Sequence, residues 1–306
     1  MRARGLLVCL AALWAAGPAT RAQQVPPAGQ QRAVFRAEAD RVRLNVLATH
    51  DGLPLQGLTA EDFEVRDNGV LISGLEVTST EERVSVAVAL DISGSVAEDF
   101  MDEMLDAVEG VVNALRPGDT AWLLTFAGQL DLRAGPVQNR EAIRTRLEGL
   151  RTGGGGTAMW DALYASVSLA SAGTARALAL LFTDGLDSSS WATETQVLDA
   201  VRRSDVVVTV VRPRHAIAPR GSPVNYFLNL ERAALASGGA ILKTERSQSL
   251  DEQFVALLDQ FRSGYVLSYA AGTIPARDDG WHEVSVKLRG RKGRVQTRPG
   301  YFEPGR

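Results

Sequence analysis

A doubly wound α/β sheet of six mostly parallel strands, flanked by N- and C-terminal β segments that combine into a small β-sandwich, is the fold class this sequence predicts. Three observations carry it. Near-continuous apolar runs such as "RVSVAVAL" and "ALALLF" mark strands covered on both faces. These runs alternate with amphipathic stretches at helical spacing. Both ends of the chain fall back into short alternating runs separated by turn signals.

The 306 residues suffice for one large domain and a smaller one. At 45% hydrophobic and 23% charged, the composition is globular and neither disordered nor fibrous. Residues 1–22, "MRARGLLVCLAALWAAGPATRA", read as a secretory signal: Arg2 and Arg4 precede an apolar run at 5–16, and small residues follow up to Ala22. An uncleaved anchor is the competing reading, but the run is too short to span a bilayer comfortably, and no later segment is apolar for long enough. The expectation is a secreted or periplasmic mature chain with no membrane span. The only cysteine, Cys9, lies in this leader, so the mature chain has neither disulfide nor thiol chemistry. The leader also holds three arginines and no acid. Of the 33 basic residues 30 remain, against 36 acidic ones, a net charge of −6 without basic clusters. Nucleic acid is an unsuitable partner for such a chain.

The elements follow in order. Residues 23–34 are a Gln/Pro-rich linker. Residues 35–82 form an N-terminal β segment with turns at "HDG" and "DNG", the second flanked by "FEVR" and "VLISGLEV" as in a hairpin. Residues 83–262 form the α/β domain. It begins with the strand "RVSVAVAL", then a helix at 97–115 with Phe100, Met104, Leu105, Val108, Val111, Val112 and Leu115 at helical spacing, ended by "RPGD". The strand "TAWLLTF" and an edge segment near "LDLRAGP" come next, then a helix at 139–150, the glycine loop "RTGGGGT" and a helix from about Ala158. The strand "ALALLFTD", a helix at 193–204, the strand "VVVTVV", an irregular insertion at 212–227, a short helix "LNLERAALA", the strand "AILKT" and a helix at 249–261 complete it. Residues 263–306 return to β patterns, "YVLSYA", "WHEVSVKLRG" and "RVQTRPGYF". Neither β end has enough strands to close a core alone. A single sandwich made from both, with the α/β domain inserted between them, competes with two separate β appendages.

The candidate site begins at "VAVALDISGSV", residues 86–96, where an apolar strand runs straight into a carboxylate and two hydroxyls. Ligands of open parallel sheets bind at the carboxyl ends of strands where the strand order reverses. Asp91 closes the first strand and Asp184, in "LLFTDG", closes the fourth; with the common order 3-2-1-4-5-6 these strands are neighbours at the reversal. That places Asp91, Ser93, Ser95 and Asp184 in one crevice, with Thr157 added by the glycine loop. Five hard oxygen donors without His or Cys suit Mg²⁺, Mn²⁺ or Ca²⁺ rather than zinc. The hydroxyls of Ser93, Ser95 and Thr157 would touch the cation, with Asp91 and Asp184 supporting it through water or the serines.

D-x-S-x-S after an apolar strand, Thr157 after a Gly-rich loop and T-D-G after a later strand resemble, in this order, the metal-ion-dependent adhesion site of the von Willebrand factor A domain. The resemblance spans residues 83–262 and includes all five positions. The flanking "GLTAEDFEVRDNGV" and "RPGYF" resemble a family of secreted bacterial proteins carrying a related version of this domain. The resemblance implies a Rossmann-like fold, a divalent cation with Mg²⁺ foremost, and protein binding in which the metal docks an Asp or Glu of a partner. Two other classes compete: a structural scaffold of the cell envelope whose metal site has no ligand, and a metal-dependent hydrolase. Against the enzyme, no G-x-S-x-G elbow is present, and His50, His215 and His282 are scattered without an acid at metal-ligand spacing. "RTGGGGTAMW" also lacks the lysine of a phosphate-binding loop. Trp160 and Trp191 are candidate aromatic anchors for a partner, with burial in the core as the competing role for each.

Overall fold

A computed structural model of the chain describes residues 41–79, 83–173, 175–212, 226–243, 250–272 and 274–302. The leader at 1–22, the linker at 23–34 and His215 with most of the insertion at 212–227 lie outside the described residues.

The strands are β1 (Arg41–His50), β2 (Leu53–Pro54), β3 (Phe63–Asp67), β4 (Val70–Leu71), β5 (Glu76–Ser79), β6 (Val84–Asp91), β7 (Thr120–Phe126) and β8 (Leu130–Val137), followed by β9 (Arg176–Phe182), β10 (Val207–Arg212), β11 (Ala240–Lys243), β12 (Tyr265–Ala270), β13 (Trp281–Leu288), β14 (Arg294–Gln296) and β15 (Gly300–Phe302). The helices are α1 (Glu98–Ala114), α2 (Arg140–Leu147), α3 (Met159–Ala170), α4 (Glu194–Arg203), α5 (Tyr226–Ala236) and α6 (Leu250–Arg262).

The central sheet runs β11-β10-β9-β6-β7-β8. All neighbours are parallel except the edge pair β7 and β8. Numbered within the sheet, this is the expected order 3-2-1-4-5-6, with the reversal between β6 and β9. Every residue of these two strands is buried, which is why they read as unbroken apolar runs rather than alternating ones. Their side chains divide between two cores. On one face Val84, Val86, Val88 and Leu90 of β6 pack with Met104, Val108 and Val111 of α1 and Phe254 and Leu258 of α6. On the other, Ala87 and Ala89 share a core with Leu163 and Val167 of α3, Val197 of α4 and Leu230 of α5. Small alanines on the second face let the helices lie close; branched residues fill the first.

The two chain ends build a second body around one core. One sheet runs β14-β1-β12-β5, with β2 on β1; the other runs β15-β13-β3-β4. Both sheets therefore mix N- and C-terminal strands, and Leu44, Phe63, Val65, Tyr265, Leu267 and Val284 share the space between them. The turn at "DNG" has Asn68 at φ +46° and Gly69 at φ +83°, the left-handed pair a two-residue hairpin demands. The run "VLISGLEV" departs from expectation. Only Val70–Leu71 continues the hairpin; the chain then crosses, and Glu76–Ser79 pairs with β12 in the opposite sheet. Gly74, at φ +71°, sits within the crossing segment.

A buried polar cluster ties the two sheets. Asp67 of β3 is fully buried. Its Oδ1 lies 2.8 Å from Nδ1 of His282, and its Oδ2 accepts hydrogen bonds from the hydroxyls of Tyr301 at 2.6 Å and Tyr269 at 2.9 Å. Tyr269 belongs to the facing sheet. Burial raises the phenol pKa of both tyrosines, so they act here only as neutral donors. Asp67→Ala would leave three buried groups without their acceptor, and we expect it to lower the unfolding free energy by about 3–5 kcal/mol, against about 1 kcal/mol for Tyr269→Phe. Urea denaturation of both variants is the check; equal small losses would mean the sandwich does not depend on this carboxylate.

Candidate functional site

The site lies at the carboxyl ends of β6 and β9. Asp91, the last residue of β6, is fully buried. Its Oδ1 accepts the backbone N–H of Ser93 at 3.0 Å, and its Oδ2 accepts the hydroxyl of Thr183 at 2.8 Å. Burial is the main influence on its carboxyl, which is pushed up to about 6 from 3.8 even though the Ser93 and Thr183 hydrogen bonds pull the other way; the charge of Asp184 adds to the rise. Asp91 is thus a carboxylate held in place by hydrogen bonds and short of positive charge.

Ser93 is buried and Ser95 is exposed, with their hydroxyl oxygens 3.1 Å apart. This follows from the spacing of two around the exposed Gly94. Asp184 is half-buried, and its Oδ1 accepts the backbone N–H of Leu186 at 3.0 Å, an Asx-type turn that starts the next loop. Thr157 is buried. The loop before it meets the β6 loop directly: Gly153 donates its N–H to the carbonyl of Ile92 at 2.6 Å.

A set of hydrogen bonds that sequence reasoning missed fixes the Thr157 and Asp184 loops to one another. The N-cap of α3, Ala158, has no side chain able to cap. The loop after Asp184 supplies the acceptors instead. Asp187 Oδ1 accepts from Met159 N at 2.9 Å, and Ser190 Oγ accepts from Trp160 N at 2.9 Å. In return Asp161 accepts the N–H groups of Trp191 at 3.0 Å and Ala192 at 2.7 Å. The carbonyl of Thr157 also accepts from Ser188 N and Ser189 N. The loops pack so closely that a Cβ on Gly156 would fall 1.9 Å from Ser189 Oγ. The sequence signal was present: Asp161, Asp187 and Ser190 are strong capping residues near helix starts, but their targets lie about 30 positions away. Thr183, in the quoted T-D-G, is the other missed residue; its hydroxyl also accepts Gly185 N–H at 3.1 Å.

The two tryptophans separate. Trp160 is half-buried and packs against the second core, so it is not an exposed anchor. Trp191 is 94% exposed, on the loop that caps α3. Of the histidines, His50 is exposed beside Asp51, and His282 is locked in the sandwich core.

The donors fit a hard cation. Among the described residues, no three or more His, Cys, Asp or Glu side chains come together as a metal site. Any cation here would depend on serine and threonine oxygens, a donor set that suits Mg²⁺, Mn²⁺ or Ca²⁺.

Comparison with known proteins agrees with this fold. Residues 86–186 match the family model of the von Willebrand factor type A domain. No curated protein matches the sequence. Among solved structures, a von Willebrand factor type A protein from Catenulispora acidiphila is 16% identical, with 84% of this chain and 75% of that one covered at a TM-score of 0.50. BatB from Bacteroides thetaiotaomicron is 16% identical over 58% of this chain and 98% of that one, at 0.47. Proximal thread matrix protein 1 from the mussel byssus, with a zinc-occupied MIDAS motif, is 16% identical over 60% and 48%, at 0.47.

The raised Asp91 carboxyl has a consequence for stability. Because its folded value of about 6 lies above its unfolded 3.8, the native state holds the extra proton between these values. The penalty is absent below about pH 4, grows with pH, and is complete above about 6, reaching about 3 kcal/mol. In EDTA, Asp91→Asn should therefore gain stability relative to wild type by up to that amount as pH rises from 4 to 7. Urea unfolding of both proteins across that range measures it; a difference independent of pH would contradict the buried charge.

Proposed function

Taking residues 86–186 as a von Willebrand factor type A domain, we propose that this protein is an exported, divalent-cation-dependent protein-binding module, and not an enzyme. The observation that carries the reading is the pair of hydroxyls of Ser93 and Ser95, 3.1 Å apart beside a fully buried carboxylate whose two oxygens are already engaged. Ser93, Ser95 and Thr157 would hold the cation, with Asp91 and Asp184 supporting it through water or the serines. When bound, the cation supplies a positive charge, left largely uncancelled by neutral hydroxyls, that attracts a carboxylate.

The residues of the chain do the rest. Asp91, short of positive charge, favours a cation nearby and resists the loss of it. Ser95 and Gly94 are exposed, so an Asp or Glu of a protein partner has access to the crevice. Attraction between partner and site is weak in water and much stronger once solvent is excluded, which asks for apolar cover around the contact. Trp191 fits that role as a rigid aromatic anchor on the adjoining loop. Export rests on the leader at 1–22. Mg²⁺ is the first choice of cation, with Mn²⁺ or Ca²⁺ as alternatives.

Titration calorimetry with Mg²⁺ tests the site. Ser93→Ala keeps the backbone N–H that holds Asp91 and removes only the hydroxyl; we expect at least tenfold weaker Mg²⁺ binding with little change in Tm. Trp191→Ala should leave Mg²⁺ affinity intact while weakening capture of envelope proteins from the producing organism, and EDTA should abolish that capture in the wild type. Mg²⁺ affinity indifferent to Ser93→Ala, or capture indifferent to EDTA, overturns the reading.

A further inference from the structure

The glycine loop does not place Thr157 by itself. Four glycines, 153–156, precede it, and a Cβ added at Gly154 or Gly155 would meet nothing within 4 Å. Such a run lacks the steric limits that fix backbone direction elsewhere. Yet Thr157 is buried, and a single residue holds both of its backbone polar groups. The Thr157 N–H donates to the hydroxyl of Ser188 at 2.9 Å, and the Thr157 carbonyl accepts the N–H of Ser188 at 2.9 Å. Ser189 N adds a second bond to that carbonyl at 3.0 Å.

We propose that Ser188 is a positioning residue for the cation site and sets its preference for Mg²⁺ over Ca²⁺. The inference rests on the cation reading given above, in which Thr157 supplies one of the hydroxyls. Mg²⁺ requires oxygens at about 2.0–2.1 Å in a near-octahedral set, whereas Ca²⁺ takes them at about 2.3–2.6 Å in looser arrangements. A site rejects the larger ion only when its oxygens are kept from moving apart by that small difference. Ser93 is buried, and the Asp91 carboxylate accepts its N–H where a buried strand ends. Thr157, left to the glycine run alone, would be the ligand free to retreat. The clasp by Ser188 denies it that freedom.

The clasp has little slack. A Cβ on Gly156 would fall 2.9 Å from Ser188 Oγ and 1.9 Å from Ser189 Oγ, so the two loops are already in contact. The Ser188 loop is itself pinned on both sides, by Asp187 and Ser190 at the start of α3 and by Asp161 at Trp191 and Ala192. Those side chains bond to N–H groups of the helix and of their own loop, and their loss would be a capping defect. The Ser188 hydroxyl serves the Thr157 N–H, and Ser188 is exposed. Its substitution therefore isolates the position of Thr157 from the stability of the fold.

Calorimetry of the full chain with MgCl₂ and, separately, CaCl₂ tests this. Ser188→Ala removes the acceptor and keeps both backbone donors to the Thr157 carbonyl. We expect Mg²⁺ affinity to fall about five- to tenfold, near the worth of one hydrogen bond. Ca²⁺ affinity should change less than about twofold, and Tm in EDTA should stay nearly unchanged. Ser188→Thr keeps a hydroxyl in place and should restore the wild-type preference. In EDTA, hydrogen exchange at the Thr157 amide should quicken in Ser188→Ala but not in Ser188→Thr, a readout that needs no cation. Equal losses for both cations, exchange at Thr157 unaffected, a wild type without preference for Mg²⁺, or Ser188→Thr behaving as Ser188→Ala would overturn the inference. Mg²⁺ binding that Ser93→Ala weakens and Ser188→Ala does not overturns this inference alone. A wild type that binds neither cation overturns the cation site along with it.

Discussion

The burial of one carboxylate at the end of one strand organises the functional end of this molecule. Asp91 ends β6 at the point where the strand order reverses, and no solvent reaches it. A buried carboxylate requires donors, and it finds two, the N–H that begins the serine loop and the hydroxyl that begins the T-D-G loop. Satisfying Asp91 thus fixes where both loops start. The third loop is brought in by capping: the helix after the glycine run has no capping side chain of its own and borrows Asp187 and Ser190 from the Asp184 loop. Three chain segments far apart in sequence are held against each other by the same hydrogen-bonding requirements that stabilise ordinary turns and caps.

The supporting architecture keeps this arrangement stiff. β6 and β9 are buried along their whole length between two helical layers, so their ends have little freedom to shift. The two chain termini close over a separate core, with Asp67 binding one tyrosine from the facing sheet and a tyrosine and a histidine from its own. The seam between sandwich and α/β layers includes Arg203 over the ring of Phe302, Arg176 donating to Asn45 and Arg298 donating to the carbonyl of Ser204, and is not built by apolar contact alone.

Much of the fold was legible because burial on both faces writes itself into composition. The runs ending at Asp91 and Phe182 could be recognised as central strands, and their neighbours placed by the usual order of a doubly wound sheet. Asp91, Ser93, Ser95 and Asp184 stood out for a related reason: polar residues at the end of a buried strand break the local pattern, whereas Thr157 was marked only by the glycine run before it. What the sequence did not reveal depends on distant partners. Nothing local tells that Glu76 leaves the hairpin of Val70 for the opposite sheet, or that Asp161 caps a loop 30 residues on. Trp160 and Trp191 are both tryptophans near helix starts, yet one packs on the core and the other is almost fully exposed. Trp160 lies in the first turn of α3 against the second core, whereas Trp191 lies on the loop leading to α4.

We propose that hydroxyls from the serine loop and the glycine loop share one cation beside a buried aspartate. The most direct measurement is the anomalous scattering of crystals soaked in Mn²⁺. A single strong peak within bonding distance of Ser93, Ser95 and Thr157 hydroxyl oxygens is the expected result. Peaks only at surface carboxylates, with the hydroxyls of these three residues turned away from one another, would contradict the account.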